Sequence, residues 1–319
     1  FQYLNNRPLD EARSQYLALL REAGFAPRTE TIPVPAAGGR ITAGAVYARI
    51  CAPHYPACAM DGIAVTAADT FGASDTTPVS LAPEQYTVVD TGDPLPEGRD
   101  AVIMVEEVVF ADGRAVIRQA AAPWQHVRQI GEDICAGEMI LAGHTAISPA
   151  AIGAMLAAGV LEVEVLARPV VGIIPTGDEV VPPTADPGPG DVMEFNSSIF
   201  SATLDQWGAE PRVFPIVPDR EEALRAALEQ ALEQCDMVLL NAGSSAGRED
   251  YAASVIGQVG EVFCHGLAIQ PGKPAILGHQ GGKPILGVPG YPVSGILVIE
   301  QLLRPLVDLW LGREAELPT

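Results

Sequence analysis

The spacing of apolar and polar residues changes character twice along the chain. Over residues 9–23, Leu9, Ala12, Tyr16, Leu20 and Ala23 recur at helical intervals on one face, and Gly24 follows as a stop, which predicts an amphipathic helix. From residue 42 to residue 143 the apolar runs shorten and are separated by Gly, Pro and Asp. Residues 86–89, 101–105, 108–110 and 115–117 read as strands, and Ala111-Asp112-Gly113-Arg114 as a hairpin turn. Helical character then returns over residues 148–158, with Ser148 as N-cap, Pro149 in the first position and Gly159 at the end. A short strand follows at 162–166.

Beyond residue 168 the rhythm becomes strand, loop, helix. Strands are predicted at 170–174, 212–217, 237–240, 261–264, 275–278 and 284–288, and helices at 197–207, 221–234, 251–259 and 293–310. Near-continuous apolar strands alternating with helices specify an α/β class with a mostly parallel sheet covered on both faces, and such sheets bind ligands beyond their carboxyl ends. The expected organisation has three parts. Residues 1–48 and 135–168 form a discontinuous, elongated helical linking and dimerisation domain, residues 49–134 a β-rich domain inserted into it, and residues 169–319 the α/β domain.

Composition narrows the class of partner. The 319 residues carry a net charge of −21, which opposes nucleic acid and anionic membrane surfaces. A small phosphorylated ligand then needs local relief from a divalent cation, backbone N–H groups or a few placed basic residues. No apolar run approaches bilayer length, and Phe1-Gln2-Tyr3-Leu4 shows no basic region ahead of an apolar core, so the expected location is the cytoplasm. Five scattered cysteines without a Cys-x-x-Cys read as reduced thiols, not as a disulfide framework. Cys51, His54 and Cys58 have metal-like spacing, but nothing nearby completes a zinc set.

Three strand-to-loop junctions carry the candidate chemistry. The first is Pro175-Thr176-Gly177-Asp178-Glu179, where a hydroxyl, a glycine and two acids suit a tight turn facing a metal or ligand hydroxyls. The second runs from Asn241 through Gly243, Ser244, Ser245 and Gly247 to Asp250 and Tyr251, offering hydroxyls, close backbone approach and a carboxylate near a helix start. The third is Val288-Pro289-Gly290-Tyr291-Pro292-Val293-Ser294-Gly295, a strand end that feeds a helix start and so presents unpaired N–H groups to an anion. Taken singly, each junction reads as a structural turn.

Taken together, in this order and spacing, they resemble the molybdopterin molybdenumtransferase family, the MoeA proteins and the gephyrin E domain. Thr176-Gly177-Asp178-Glu179, the block from Gly243 to Tyr251, Pro271-Gly272-Lys273-Pro274 and Pro289-Gly290-Tyr291-Pro292-Val293-Ser294 carry the match. Upstream, so do Ala59-Met60-Asp61-Gly62-Ile63-Ala64, Thr91-Gly92, Glu106-Glu107 and Gly131-Glu132-Asp133-Ile134. The resemblance implies a MogA-like α/β/α domain and a Mg²⁺-dependent transferase. Such an enzyme inserts molybdate or tungstate into adenylylated molybdopterin and releases AMP.

By family position, Asp178, Glu179 and Asp250 would hold Mg²⁺. Lys273 would offset anionic charge. Thr176, Gly177, Gly243, Ser244, Ser245, Gly247, Pro289, Gly290, Tyr291 and Ser294 would contact substrate. Asp250 and Lys273 join Asp61 and Asp133 as catalytic candidates, although Asp-Gly at 61–62 and Asp133 after Gly131 also read as turn formers. The resemblance further implies a homodimer, with a MogA-like adenylyltransferase and molybdoenzymes as partners.

Departures from the family pattern mark a subgroup. Tyr291 stands where Asn is usual, Gln270 replaces a basic residue, Cys58 replaces a serine, and Ala242-Gly243-Ser244-Ser245 replaces a Gly-Gly-Val-Ser type. The family's small C-terminal β domain is expected to be lacking. Two other functions remain open at this stage: a non-catalytic pterin or oxyanion carrier or scaffold, and a MogA-like molybdopterin adenylyltransferase.

Overall fold

The computed structural model describes residues 7–184, 186–242 and 249–314. Its contacts divide the chain into two compact units, one built from residues 7–30 and 166–314 and the other from Thr31–Val165.

The first unit is the α/β part, and its elements are labelled in chain order. They are α1 (Leu9–Glu22), β1 (Val170–Pro175), α2 (Asn196–Trp207), β2 (Glu210–Val213), α3 (Glu221–Gln234), β3 (Met237–Ala242), α4 (Glu249–Val259), β4 (Glu261–His265), β5 (Ile276–Gln280), β6 (Lys283–Pro289), α5 (Pro292–Val298) and α6 (Arg304–Trp310). The sheet order is β2-β1-β3-β6-β5-β4. The first four strands run parallel, and β5 and β4 are antiparallel to their neighbours. The expected mostly parallel sheet is therefore mixed at one side, for a local reason. Parallel neighbours need a long crossover, whereas β5 and β6 are joined by Gly281-Gly282 alone, with Gln280 opposite Lys283. Both glycines have positive φ, +51° and +82°, as a tight primed turn requires. A Cβ on Gly282 would lie 2.7 Å from the Ala23 carbonyl oxygen, so only glycine lets the end of α1 pass over this turn.

Both faces of the sheet are covered. Val171, Ile173, Leu239, Leu277 and Leu286 pack with Phe200, Leu204 and Trp310, and Ile174, Val238, Leu240 and Ile285 pack with Leu224, Leu228 and Ile256. Helix α1 lies in the first of these cores through Ala12, Tyr16 and Leu20. The Tyr16 hydroxyl donates to the Gly278 carbonyl at 2.5 Å, and burial raises its pKa. Contacts thus group α1 with the α/β unit, whereas the sequence pattern alone assigned it to a linking part. The reason is its apolar stripe, which faces the sheet.

Two predicted elements end differently. Strand β2 stops at Val213, four residues before the expected end at 217, because Pro215 has no N–H to continue the ladder. The single helix expected over 293–310 is α5, a π turn at Ile299–Leu303, then α6. Pro305 would clash with the carbonyl four residues back in a regular helix, and the wider turn ahead of it removes that conflict.

Asp236 ties the unit together. Arg28 grips its carboxylate with two hydrogen bonds at 2.9 and 2.7 Å, and the Val170 N–H donates to it at 2.8 Å. The Ala167 N–H also donates to the Arg28 carbonyl at 2.8 Å.

The second unit is built mainly from short antiparallel strands. Gly62–Val65 sits between Tyr86–Val89 and Ala101–Met104, while Arg114–Ile117 sits between Val79–Leu81 and Val108–Ala111. The hairpin predicted at 111–114 forms, with Asp112 and Gly113 at φ +55° and +76°. The helix Pro149–Ala157 is capped as its sequence predicts, by Ser148 Oγ accepting the Ala151 N–H at 3.2 Å. The unit holds three separate apolar clusters, around Met155, around Ile63 and around Cys58.

Candidate functional site

Strands β1, β3 and β6 are adjacent and parallel, so their carboxyl ends fall on one edge of the sheet. Pro175 pairs with Asn241, Asn241 with Val288, and Ala242 with Pro289, which starts all three loops within about one residue of each other along the strands. At this edge lies a cleft of about 440 Å³.

The first wall of the cleft is fixed by Thr176. Its N–H and its hydroxyl both donate to the Asn241 carbonyl at 3.0 Å, binding the loop after β1 to the end of β3. Gly177 then turns with φ +139°, and a Cβ there would meet Val180 at 2.6 Å and the Glu179 carboxylate at 3.3 Å. The turn sends two consecutive acids apart. Glu179 lines the cleft. Asp178 lines a neighbouring cavity of about 630 Å³ with Phe214 and Pro215, and accepts the Asp219 N–H at 3.1 Å.

The second wall is the start of α2. Glu194 accepts the Ser197 N–H at 2.8 Å and so stabilises the helix start, while Asn196 donates to the Gly290 carbonyl at 2.8 Å and joins α2 to the loop after β6. Three buried oxygens here lack a partner among the described residues: Asn196 Oδ1, Asn241 Oδ1 and Ser197 Oγ. Both asparagines line the cleft. A buried acceptor without a donor costs roughly 1–3 kcal/mol, so these oxygens are positions where a ligand N–H or a water recovers energy.

The third wall is Gly290, Tyr291 and Pro292. Tyr291 lines the cleft and is 62% exposed. Pro292 is the first residue of α5 and has no N–H, so free donors of this helix start begin at Val293 and the buried Ser294. Gly295 packs on Phe200, where a Cβ would stand 2.9 Å from the ring.

The electrostatics of the described lining are one-sided. Among the described residues, Glu179 and Glu194 contribute two carboxylates and no Lys or Arg lines the cleft. Lys273 is exposed in the loop between β4 and β5, held through its carbonyl, which accepts the Leu267 N–H at 2.9 Å. Gly243, Ser244, Ser245 and Gly247 lie outside the described residues. Asp250 falls in the first turn of α4 and its side chain is likewise outside them.

Asp61 and Asp133 belong to the second unit, and both are exposed. Asp61 Oδ1 accepts the Thr91 N–H at 2.7 Å, and hydrogen bonding from Thr91 holds its carboxyl below the usual range. Asp133 accepts from Arg128 at 2.5 Å, and Arg128 also reaches Glu132 at 3.2 Å. Among the described residues no three His, Cys, Asp or Glu side chains form a metal cluster. The Cys51, His54, Cys58 spacing yields none because Cys58 is buried among Ala64, Val89, Val102 and Val127, while His54 is exposed beside Tyr55.

The Asp61 shift has a pH consequence. A depressed folded-state pKa contributes stability above the unfolded value near 3.8, and that contribution is lost as pH falls through the folded value. In acid titrations of stability, wild type and Asp61→Asn should differ above about pH 4 and converge below it. A constant offset at all pH values would contradict the linkage.

Glu194 and Asn196 were not singled out from sequence. The available signal was a polar residue just ahead of a predicted helix with an acid three residues before Ser197, which reads as a cap and not as a site.

An α/β unit with a ligand cleft at the ends of β1, β3 and β6, accompanied by a β-rich unit, defines a MoeA-type protein. Residues 7–159 match the MoeA N-terminal region (domain I and II), and residues 172–308 a probable molybdopterin binding domain. The chain is 31% identical to a molybdopterin molybdenumtransferase of Haemophilus influenzae, over 96% of this chain and 78% of that protein. It is 32% identical to molybdopterin molybdenumtransferase 2 of Mycobacterium tuberculosis, over 93% and 79%. Two solved structures of the molybdopterin biosynthesis MoeA protein from Pyrococcus horikoshii superpose with TM-scores of 0.82 and 0.71, at 33% and 27% identity. Each covers 97% of this chain, and the chain covers 81% and 80% of them. The chain belongs to the molybdopterin molybdenumtransferase family, enzymes of molybdenum cofactor biosynthesis. No helix among the described residues is long and apolar enough to cross a membrane.

Proposed function

We propose that the cleft at the ends of β1, β3 and β6 binds adenylylated molybdopterin in the cytoplasm, and that the enzyme inserts molybdate or tungstate with Mg²⁺ while AMP is released. The observation that carries this reading is the lining itself. Two buried amide oxygens without partners, Asn196 Oδ1 and Asn241 Oδ1, suit the N–H edge of a heteroaromatic ring, and Tyr291 offers a face for stacking at the mouth.

The charge of the cleft bears on the metal. An anionic phosphate approaching Glu179 and Glu194 with no base in the described lining is repelled unless a cation accompanies it. Carboxylate oxygens are the donors a hard divalent ion selects, and Mg²⁺ is commonly held by one or two of them together with substrate phosphates and water. Glu179 and Asp250 would hold it in this reading, and Asp178 joins only if it turns from its neighbouring cavity. When bound, Mg²⁺ neutralises phosphate charge and polarises the P–O bond that breaks.

The remaining roles fall to this chain's own groups. Asn196 and Asn241 orient the ring, and Gly177 and Gly290 admit close backbone approach. Thr176 stiffens the wall, and Gly243, Ser244, Ser245, Gly247, Pro289 and Ser294 bind substrate. Lys273 screens the anion. Asp61 and Asp133 act as acids contributed by the β-rich unit of a homodimer. A MogA-like adenylyltransferase supplies the substrate, and molybdoenzymes accept the product.

The test supplies purified protein with adenylylated molybdopterin, Mg²⁺ and molybdate or tungstate, and follows AMP. AMP release that requires both the oxyanion and Mg²⁺ is the expected result. Tight substrate binding with no AMP from either oxyanion would replace this reading with that of a carrier.

A further inference from the structure

The sequence pattern groups Cys51 with His54 and Cys58, but the fold gives Cys51 a different neighbour. Ala52 and Ile134 exchange both backbone hydrogen bonds, the Ala52 N–H to Ile134 O at 2.8 Å and the Ile134 N–H to Ala52 O at 3.1 Å. One step outward in this antiparallel register stand Cys51 and Cys135. Beyond Cys135 the chain turns, the Glu138 N–H donating to the Cys135 carbonyl at 3.0 Å, and pairs again where Met139 stands opposite Tyr47. In a regular antiparallel ladder such a step leads from a hydrogen-bonded pair to a non-hydrogen-bonded one, whose Cα atoms stand about 4.5 Å apart. That separation lies within the span a disulfide bridges.

The sulfurs themselves converge. A Cβ built on Gly131 would stand 2.9 Å from Cys135 Sγ and 3.5 Å from Cys51 Sγ, so both thiols border the one position that glycine leaves open. Gly131 has φ +75°, which an L side chain rarely adopts. The Cys135 thiol donates to the Gly131 carbonyl at 3.4 Å, and Cys51 Sγ accepts the Ala136 N–H at 3.3 Å.

We propose that Cys51 and Cys135 form an oxidation site, a cross-strand dithiol that a peroxide converts to an intramolecular disulfide. In the first step one thiolate attacks the peroxide, the O–O bond breaks, and the sulfur becomes a sulfenic acid with release of water from hydrogen peroxide or an alcohol from an organic one. In the second the other thiol attacks that sulfur, the S–S bond forms, and a second water leaves. Two thiols lose two electrons and two protons, and the peroxide is reduced.

Access selects this pair. Cys135 is exposed and Cys51 partly so, whereas Cys58, Cys235 and Cys264 are buried. Burial pushes the Cys235 and Cys264 thiols up to about 11, which keeps them protonated and unreactive. The disulfide would clamp the Gly131 to Ile134 loop that carries Glu132 and Asp133. It would also close a long loop of chain, which raises thermal stability.

The experiment treats the full reduced chain with hydrogen peroxide, blocks remaining thiols, and maps peptides without reduction. The expected result is one linked pair, Cys51 with Cys135, in a monomolecular product lighter by two hydrogen atoms. Dithiothreitol should reverse it, and the melting midpoint of the oxidised form should be higher by several degrees. Cys51→Ser and Cys135→Ser should each abolish the link and leave the surviving cysteine oxidised or alkylatable, with circular dichroism unchanged. A linked pair involving Cys58, a link only between molecules, or both thiols still free after peroxide would overturn the proposal.

Discussion

Gly62→Ala is expected to unfold the β-rich unit or to lower its stability by about 4 kcal/mol or more, the scale reserved for backbone conflicts in a core. Gly62 opens the central strand of a three-stranded sheet and pairs with both Val89 and Met104. A Cβ there would stand 1.9 Å from the Ile103 carbonyl oxygen and 2.9 Å from its carbon. Backbone cannot rotate aside as a side chain does, so the pairing of Ile63 with Ile103 and Ala64 with Val102 must open. That pairing holds the cluster of Ile63, Val65, Ala101 and Ile103. The substitution should also strain the bond of neighbouring Asp61 to the Thr91 N–H. Urea unfolding followed by circular dichroism measures the loss. Gly44→Ala is the control, since nothing lies within 4 Å of its Cβ position and no unusual φ is required, and it should fall within about 0.5 kcal/mol of wild type.

The second large effect concerns chemistry. Glu179→Gln should lower kcat/KM for AMP release by about 100-fold, equivalent to about 2.7 kcal/mol of transition-state stabilisation. The amide keeps the shape of the wall while removing one of the two carboxylates in the described lining. A hard cation held there as proposed would lose an anionic donor, so Mg²⁺ affinity measured by calorimetry should weaken in parallel. Asp178→Asn supplies the contrast. That carboxylate faces the neighbouring cavity and accepts a backbone N–H from Asp219, so its loss should cost less than about tenfold. Equal effects from the two variants would show that the acids act as one site.

Much of the α/β unit was legible because its strands are continuous apolar runs and its helices carry clear stripes. The helix expected at 221–234 is α3 residue for residue, and the ends of β1, β3 and β6 come together because parallel neighbours place their carboxyl ends at one edge. What escaped depends on distance along the chain. The sheet is mostly parallel as expected, and the reversal of β5 alone was hidden because strand direction follows from connection length, which the apolar pattern does not encode. The cleft's Asn196 and Glu194 sit where polar residues ordinarily cap helices, so their second role appears only when Gly290 is seen beside them. In the same way Cys51 suggested a partner seven residues on, while the register that brings Cys135 to it is set by a remote strand pair.

The clasp formed by Arg28, Asp236, Val170 and Ala167 has a bearing on how such a chain could grow. Arg28 lies just before the chain leaves for the β-rich unit, and Ala167 and Val170 lie just after it returns. Departure and return are therefore neighbouring points on one fastened seam. The entropy of closing a loop rises only with the logarithm of its length, so a host whose seam is already fastened tolerates a guest of nearly any size between those points. In this light the β-rich unit is an excursion that can lengthen, shorten or acquire new side chains over generations.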